Sequence, residues 1–177
     1  MSLITAEDVQ TAGMRFPRRT GLGVDLVNPR HYGQASHGCR EAMAGLLNEV
    51  EKSLQWPKQI ELIVYFQIPK PEGGQRVIAK LPGPVRLWER ARFPMMAAWY
   101  RSVARDYDWA CAGGTAEMAV WVQLLEAEAL PAESGPRCLG RAAVLLDLIK
   151  CFERVRLHHV WRWGLYWKVP RRLLRIM

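Results

Sequence analysis

The sequence predicts an α+β fold, on three observations. Residues 60–68 and 75–79 are rich in β-branched and aromatic side chains and flank Pro69-Lys70-Pro71-Glu72-Gly73-Gly74, the pattern of one β-hairpin. Ala42, Met43, Leu46, Leu47, Val50 and Leu54 recur three and four apart, as on one face of an amphipathic helix. The run Ala142-Ala143-Val144-Leu145-Leu146 leads straight into Asp147, as a short buried strand would. That run also fits a single amphipathic helix through residues 141–162, because Ala142, Leu145, Leu146, Ile149 and Phe152 keep helical spacing.

Taken in order, residues 1–35 are polar, with Gly, Pro and Arg dispersed through Arg15-Phe16-Pro17-Arg18-Arg19-Thr20-Gly21, and predict an irregular lead-in. A helix follows from about Gly38 and is closed by Pro57. The hairpin comes next, with two glycines able to take positive φ in its turn and Lys70 and Arg76 near its tip. Residues 86–105 are expected to be helical and broken at Pro94, which suits the first position of a new helix. Cys111-Ala112-Gly113-Gly114-Thr115 is a loop ending on an N-cap, Thr115, for a helix through about Ala129, with Glu117 in its first turn. Residues 131–140 form a polar linker. If residues 142–147 are a strand, a helix to about Trp163 follows, and a short last helix begins near Lys168. The chain has neither internal repeats nor a low-complexity tract.

Length and composition narrow the class. At 177 residues, half of them hydrophobic, the chain suits one domain burying roughly 70% of its unfolded surface, and the composition argues against disorder overall. A net charge of +8 favours polyanionic partners, although a basic balance also occurs without nucleic acid. Cys39, Cys111, Cys138 and Cys151 form no C-x-x-C pair, so no zinc module can be built from them, and they read as reduced, mostly buried thiols. Glu7 and Asp8 stand where a signal peptide needs its apolar core, and no run approaches about 18 apolar residues. The expectation is an intracellular protein, nuclear or cytoplasmic, neither secreted nor in a membrane.

Three constellations could carry chemistry. Lys70 and Arg76 straddle a glycine-rich turn, where two cations can close over a triphosphate; the plainer alternative is a solvated turn. Asp147 ends an apolar run, a costly place for a carboxylate unless a hydrogen bond, cation or metal pairs with it. Glu153 follows six residues later, with Phe152 before it; a surface salt bridge would explain Glu153 as well. Trp161, Trp163 and Trp167 lie among Arg162, Lys168 and Arg171, with Arg172 next, a mix that suits either a nucleic-acid groove or a core. His158 and His159 are adjacent, point in different directions and make a poor metal pair.

The string Ile68-Pro69-Lys70-Pro71-Glu72-Gly73-Gly74-Gln75-Arg76-Val77-Ile78 resembles the fingers motif of reverse transcriptases of the non-LTR retrotransposon and group II intron type. Asp147-Leu148-Ile149-Lys150-Cys151-Phe152-Glu153-Arg154-Val155 resembles the same family's first catalytic motif. Thr20 to Asp25 with Pro29-Arg30, Leu46 to Val50, Pro84 to Arg90, Cys111 to Thr115 and Gly164 to Arg175 follow in the family's order, so the resemblance covers about residues 15–177. It implies an incomplete right-hand polymerase fold, with a fingers-like region over 36–140 and the start of the palm over 141–177. It also implies that Lys70 and Arg76 bind the triphosphate, that Asp147 is one ligand of two Mg²⁺ ions, and that Phe152 gates the sugar. Gly113 and Gly114 would contact the template, and Arg171 and Arg172 nucleic acid. The implied partners are an RNA template, a DNA primer and a deoxynucleoside triphosphate.

The chain departs from the family at Lys80, in an apolar position, at Gly83-Pro84, expected to break local structure, and at Lys168, where glycine would end a helix. No Tyr-x-Asp-Asp motif and no Gln-Gly segment occurs in the 177 residues. One aspartate cannot hold two magnesium ions against water, so a fragment inactive by itself is expected. The alternatives are a non-catalytic nucleic-acid-binding protein, a decayed mobile-element remnant, or a helical interaction module with no nucleic-acid role. Apolar surface exposed around Val144 and Leu146 would favour self-association.

Overall fold

The computed structural model describes residues 2–105, 107–109, 114–129 and 154–176. The run 142–147, the linker 131–140 and the predicted site residues Gly113, Asp147 and Phe152, with Glu153, lie outside the described residues. The observed class is α+β: helices and one two-stranded antiparallel hairpin. Two units separate, one of Met1–Trp99 with Gly164–Met177 and one of Tyr100–Trp163.

Residues 1–35, expected to be irregular, hold α1 (Ala6–Met14) and the short α2 (Arg30–Gln34). Thr5 caps α1 through its hydroxyl, and the Asp8 side chain reaches back to the Thr5 backbone N–H at 2.9 Å, a capping box built with Asp. Val9 and Ala12 face inward from α1, and Phe16 just beyond its end is buried too. The helices α1 and α2 touch at Gly13 and Gly33: a Cβ on Gly13 would sit 2.5 Å from the Gly33 nitrogen. Arg30 donates to the Met14 and Phe16 carbonyls at 2.7 and 2.9 Å, closing the C-terminal end of α1.

Helix α3 (His37–Ser53) carries the core. Its buried face is Ala44, Leu47, Val50 and Glu51, with Met43 packed at the margin; Ala42 and Leu46, expected inside, are exposed. Asn48 holds the N-terminal segment by accepting from Ile4 N–H at 2.8 Å and donating to its carbonyl at 2.9 Å. A 3₁₀ turn (Lys58–Ile60) then delays the first strand, so β1 is Val64–Pro69 and not 60–68. It pairs with β2 (Gln75–Lys80) in the register Val64↔Lys80 to Pro69↔Gln75.

Helix α4 (Gly83–Val103) corrects two more expectations. Gly83-Pro84 begins it, because the Asp25 carboxylate accepts the Gly83 N–H at 2.6 Å and a proline in the first turn has no partner to lose. The helix also runs unbroken through Pro94, whose ring is exposed. Leu87 and Trp88 enter the core beside Leu47, with Ile4, Val9 and Leu173 around them. Behind them Arg92 and Glu51, 7% and 4% exposed, form a bidentate pair at 2.5 and 2.6 Å; Trp88 Nε1 donates to the same carboxylate, and Arg92 also reaches the Ser2 carbonyl.

In the second unit the Tyr100 hydroxyl donates to the Asp108 carboxylate. Thr115 caps α5 (Ala116–Ala129) as predicted, accepting the Met118 N–H at 3.0 Å. Met118, Val120, Trp121, Leu124 and Leu125 on this helix are all exposed. Helix α6 (Leu157–Tyr166) ends on Lys168, and α7 (Arg171–Ile176) closes the described chain by burying Leu173 and Leu174 in the first unit.

Candidate nucleotide-binding hairpin

Hairpin chemistry starts from the turn. Gly73 N–H donates to the Lys70 carbonyl and Lys70 N–H to the Gly74 carbonyl, both at 3.1 Å. Gly73 and Gly74 take φ of 90° and 83°, a conformation that excludes a side chain at little cost only for glycine. This turn sets Lys70 at the end of β1 and leaves Arg76 one register step inside β2, opposite Ile68. Both cations line one concavity of about 260 Å³ with Ile68, Pro69, Pro71 and Glu72. The two side chains singled out by sequence therefore converge, with Glu72 as the single carboxylate of the lining.

Cross-strand partners share a face. Val64 and Lys80, Phe66 and Ile78, and Ile68 and Arg76 lie on one side of the ribbon. Lys80 Nζ sits 4.4 Å from the Phe66 ring centre, so the cation in an apolar position is held over an aromatic face, its stem half-buried. Beyond Val64 and Lys80 every hairpin residue is exposed, and two strands alone are marginally stable in water. The ribbon projects its cations without packing them.

A group that sequence reasoning missed lies at the hairpin's base. Arg86 donates to the Gly21 carbonyl at 2.6 Å and the Thr20 hydroxyl at 2.8 Å. Arg86 and Arg90 both stand over the Phe16 ring, 5.3 and 5.0 Å from its centre. Their i, i+4 spacing was visible in the sequence, but nothing there tied them to a phenylalanine 70 or more residues earlier. Glu89 lies between them on α4 and, with Lys80 and Arg86, lines a second concavity of about 270 Å³. Desolvation pushes its carboxyl above the ordinary value, against the opposing pull of Arg86 and Arg90.

The other predicted residues stand apart from the tip. Gly114 is half-buried, and a Cβ there would collide with the Trp109 carbonyl, so packing alone accounts for this glycine. Arg171 and Arg172 are exposed in the first turn of α7 and do not line the tip concavity. Trp161, Trp163 and Trp167 are 40%, 56% and 38% exposed, which removes the core reading for these three. The His158 and His159 rings, expected to diverge, meet edge to face with centres 4.0 Å apart, both exposed. Among the described residues no group of three His, Cys, Asp or Glu side chains could hold a metal ion. Asp147, outside them, is a single carboxylate and by itself does not fit a two-magnesium site. Among the described residues no helix is long and apolar enough to cross a membrane.

No protein-family model, no curated protein and no solved structure matches the chain.

Proposed function

We propose that this chain is the fingers and first palm segment of an RNA-directed DNA polymerase of the non-LTR retrotransposon type, and that its hairpin tip binds the triphosphate of a deoxynucleotide. The reading is carried by one observation: Lys70 and Arg76, the cations of the fingers-like motif, line a single concavity at an exposed turn. An ammonium and a planar guanidinium there can take neighbouring phosphate oxygens, the guanidinium in a bidentate way. In this reading Asp147 supplies one carboxylate toward magnesium and Phe152 the sugar gate, while Gly113, Gly114, Arg171 and Arg172 contact template or primer. The 177 residues contain no Tyr-x-Asp-Asp motif, so the chain alone binds nucleotide and does not extend a primer.

The test is titration of the full chain with a fluorescent deoxynucleoside triphosphate, with inorganic triphosphate as competitor. Saturable binding should weaken about tenfold in Lys70→Ala and in Arg76→Ala, the loss of one charge-assisted contact of about 1.5 kcal/mol. Arg76→Lys should recover only part of it, because an ammonium lacks the fork. Binding that neither substitution changes, or no saturable binding, sinks the reading. RNA-templated primer extension by the purified chain, abolished by Asp147→Ala, would overturn its inactivity.

A second reading, a nucleic-acid-binding protein without catalysis, is favoured by the exposed Trp161 and Trp163 beside Arg162 and by the net charge of +8. It predicts salt-sensitive RNA binding that is indifferent to Lys70 and Arg76.

A further inference from the structure

A cavity of about 330 Å³ opens beside the base of the hairpin, apart from the tip site, and has walls of a different chemistry. Trp56 and Trp88 form one corner, their rings at 85° with centres 5.9 Å apart. Trp88 cannot swing away: its Nε1 is held by Glu51 at 2.9 Å, and Glu51 is clamped by Arg92. Ile60 and Val85 are part of the aliphatic wall, and two carboxylates, Glu61 and Glu89, also line it. Among the described residues no Lys, Arg or His nitrogen comes within 4.0 Å of either carboxylate. Its volume is near the lower end for small-ligand sites.

We propose that this cavity receives the alkylammonium side chain of a lysine on a partner polypeptide. The aliphatic stem of a lysine matches the Ile60, Val85 and indole walls, and its ammonium can reach Glu61 and Glu89 at the ion-pair distance that no described cation takes up, Arg86 and Arg90 acting on Glu89 only from farther off. A neutral apolar side chain would leave the Glu61 carboxylate without an ion partner and Glu89 with only its more distant arginines, and an anion would be repelled. The charge of an arriving cation offsets the desolvation that raises the Glu89 carboxyl. A polypeptide is favoured over a free amine by what adjoins the cavity. Leu62 and Ile63, 61% and 36% exposed, lead from its wall into β1, whose outer edge pairs with no other strand among the described residues. An extended peptide can lie along that edge and turn one side chain into the cavity.

The experiment is a titration of the full chain followed by the indole N–H resonances, that of Trp56 assigned with Trp56→Phe. Three probes are compared: a six-residue peptide with one lysine, its twin with norleucine in that place, and butylammonium. The lysine peptide should shift the Trp56 resonance saturably and bind about fivefold more tightly than its norleucine twin. In Glu61→Gln/Glu89→Gln that preference should vanish while the Trp88 resonance stays in place, which reports an intact Glu51 contact and fold. Lys70→Ala and Arg76→Ala should leave it untouched, so this site and the triphosphate site fail separately. Equal binding of the two peptides, a preference that survives the double substitution, or no shift with either peptide overturns the proposal. So does butylammonium binding as tightly as the lysine peptide, which would make the cavity a small-amine site.

Discussion

Arg92 and Arg76 carry the same guanidinium in opposite settings, one 7% exposed behind the core and the other on a hairpin with almost no buried residue. Arg92 is saturated by Glu51 and the Ser2 carbonyl, and its pair sits under Trp88, Leu47 and Leu87. Arg76 is exposed and shares a concavity with Lys70. A buried cation must be paired because its desolvation is expensive; an exposed one stays available to a ligand because water has already compensated it. Arg92 is therefore held for structure, while Arg76 stands in solvent with its donors open.

Removing one member of each group is the sharpest way to break that comparison. Arg92→Ala should cost about 3–5 kcal/mol, because Glu51 would be left charged and buried with only Trp88 as partner. Arg76→Ala should move stability by no more than about 0.5 kcal/mol. Urea unfolding of the two variants measures both. Equal losses would mean that the hairpin is tied to the core, or that the Glu51 pair is worth no more than a surface contact.

Two smaller substitutions sharpen the account of the body. Lys168 N–H donates to the Leu165 carbonyl and Val169 N–H to the Gly164 carbonyl, the bond pattern of a Schellman motif, with Lys168 at φ 56°. A left-handed residue with a Cβ is strained there, so Lys168→Gly should stabilise the protein by about 1 kcal/mol, seen as a higher denaturation midpoint. A loss of stability would show that the lysine side chain contributes more than its backbone costs. Thr5→Ala removes the cap of α1 and should destabilise by about 1 kcal/mol. The cap matters only if α1 is part of the cooperative core, which its buried Val9 and Ala12 imply.

What could be read in the sequence follows the range of the interactions. The hairpin turn, the Thr115 cap and the glycine-like position of Lys168 depend on residues within a few positions, and each was legible. Helix α1 also has a local signal, Thr5 with Asp8 three residues on, but it is short and runs into the Gly, Pro and Arg of residues 13–21, whose composition points to an irregular lead-in. Residues 60–63 have strand composition, yet Pro57 starts a 3₁₀ turn, and Ile60 and Ile63 face the cavity beside Trp56. The N-terminal end of α4 needed Asp25, 58 positions away, to overrule the local reading of Gly83-Pro84. Nothing local marks Glu51 as buried; its partner Arg92 lies 41 residues on. At the tip, Lys70 and Arg76 were found because the turn brings them together locally. Arg86 and Arg90 over Phe16 depended on tertiary contact and were not.

Glu89 offers the smallest effect and the most diagnostic sign. Its carboxyl is raised above the ordinary value of 4.5 by desolvation, which outweighs the favourable charges of Arg86 and Arg90. A raised carboxyl means that the folded state holds its proton more tightly than the unfolded chain. That contribution to stability is complete below the unfolded value and is lost as pH climbs through the folded one. Glutamine is neutral throughout and imitates the protonated form. Glu89→Gln should therefore leave stability unchanged near pH 4 and raise it at pH 7, by no more than a few tenths of a kcal/mol because the residue is only partly withdrawn from solvent. Denaturant midpoints at the two pH values decide it. A variant less stable at neutral pH would mean that the pull of Arg86 and Arg90 outweighs desolvation, and Glu89 would then belong with the charges held for structure.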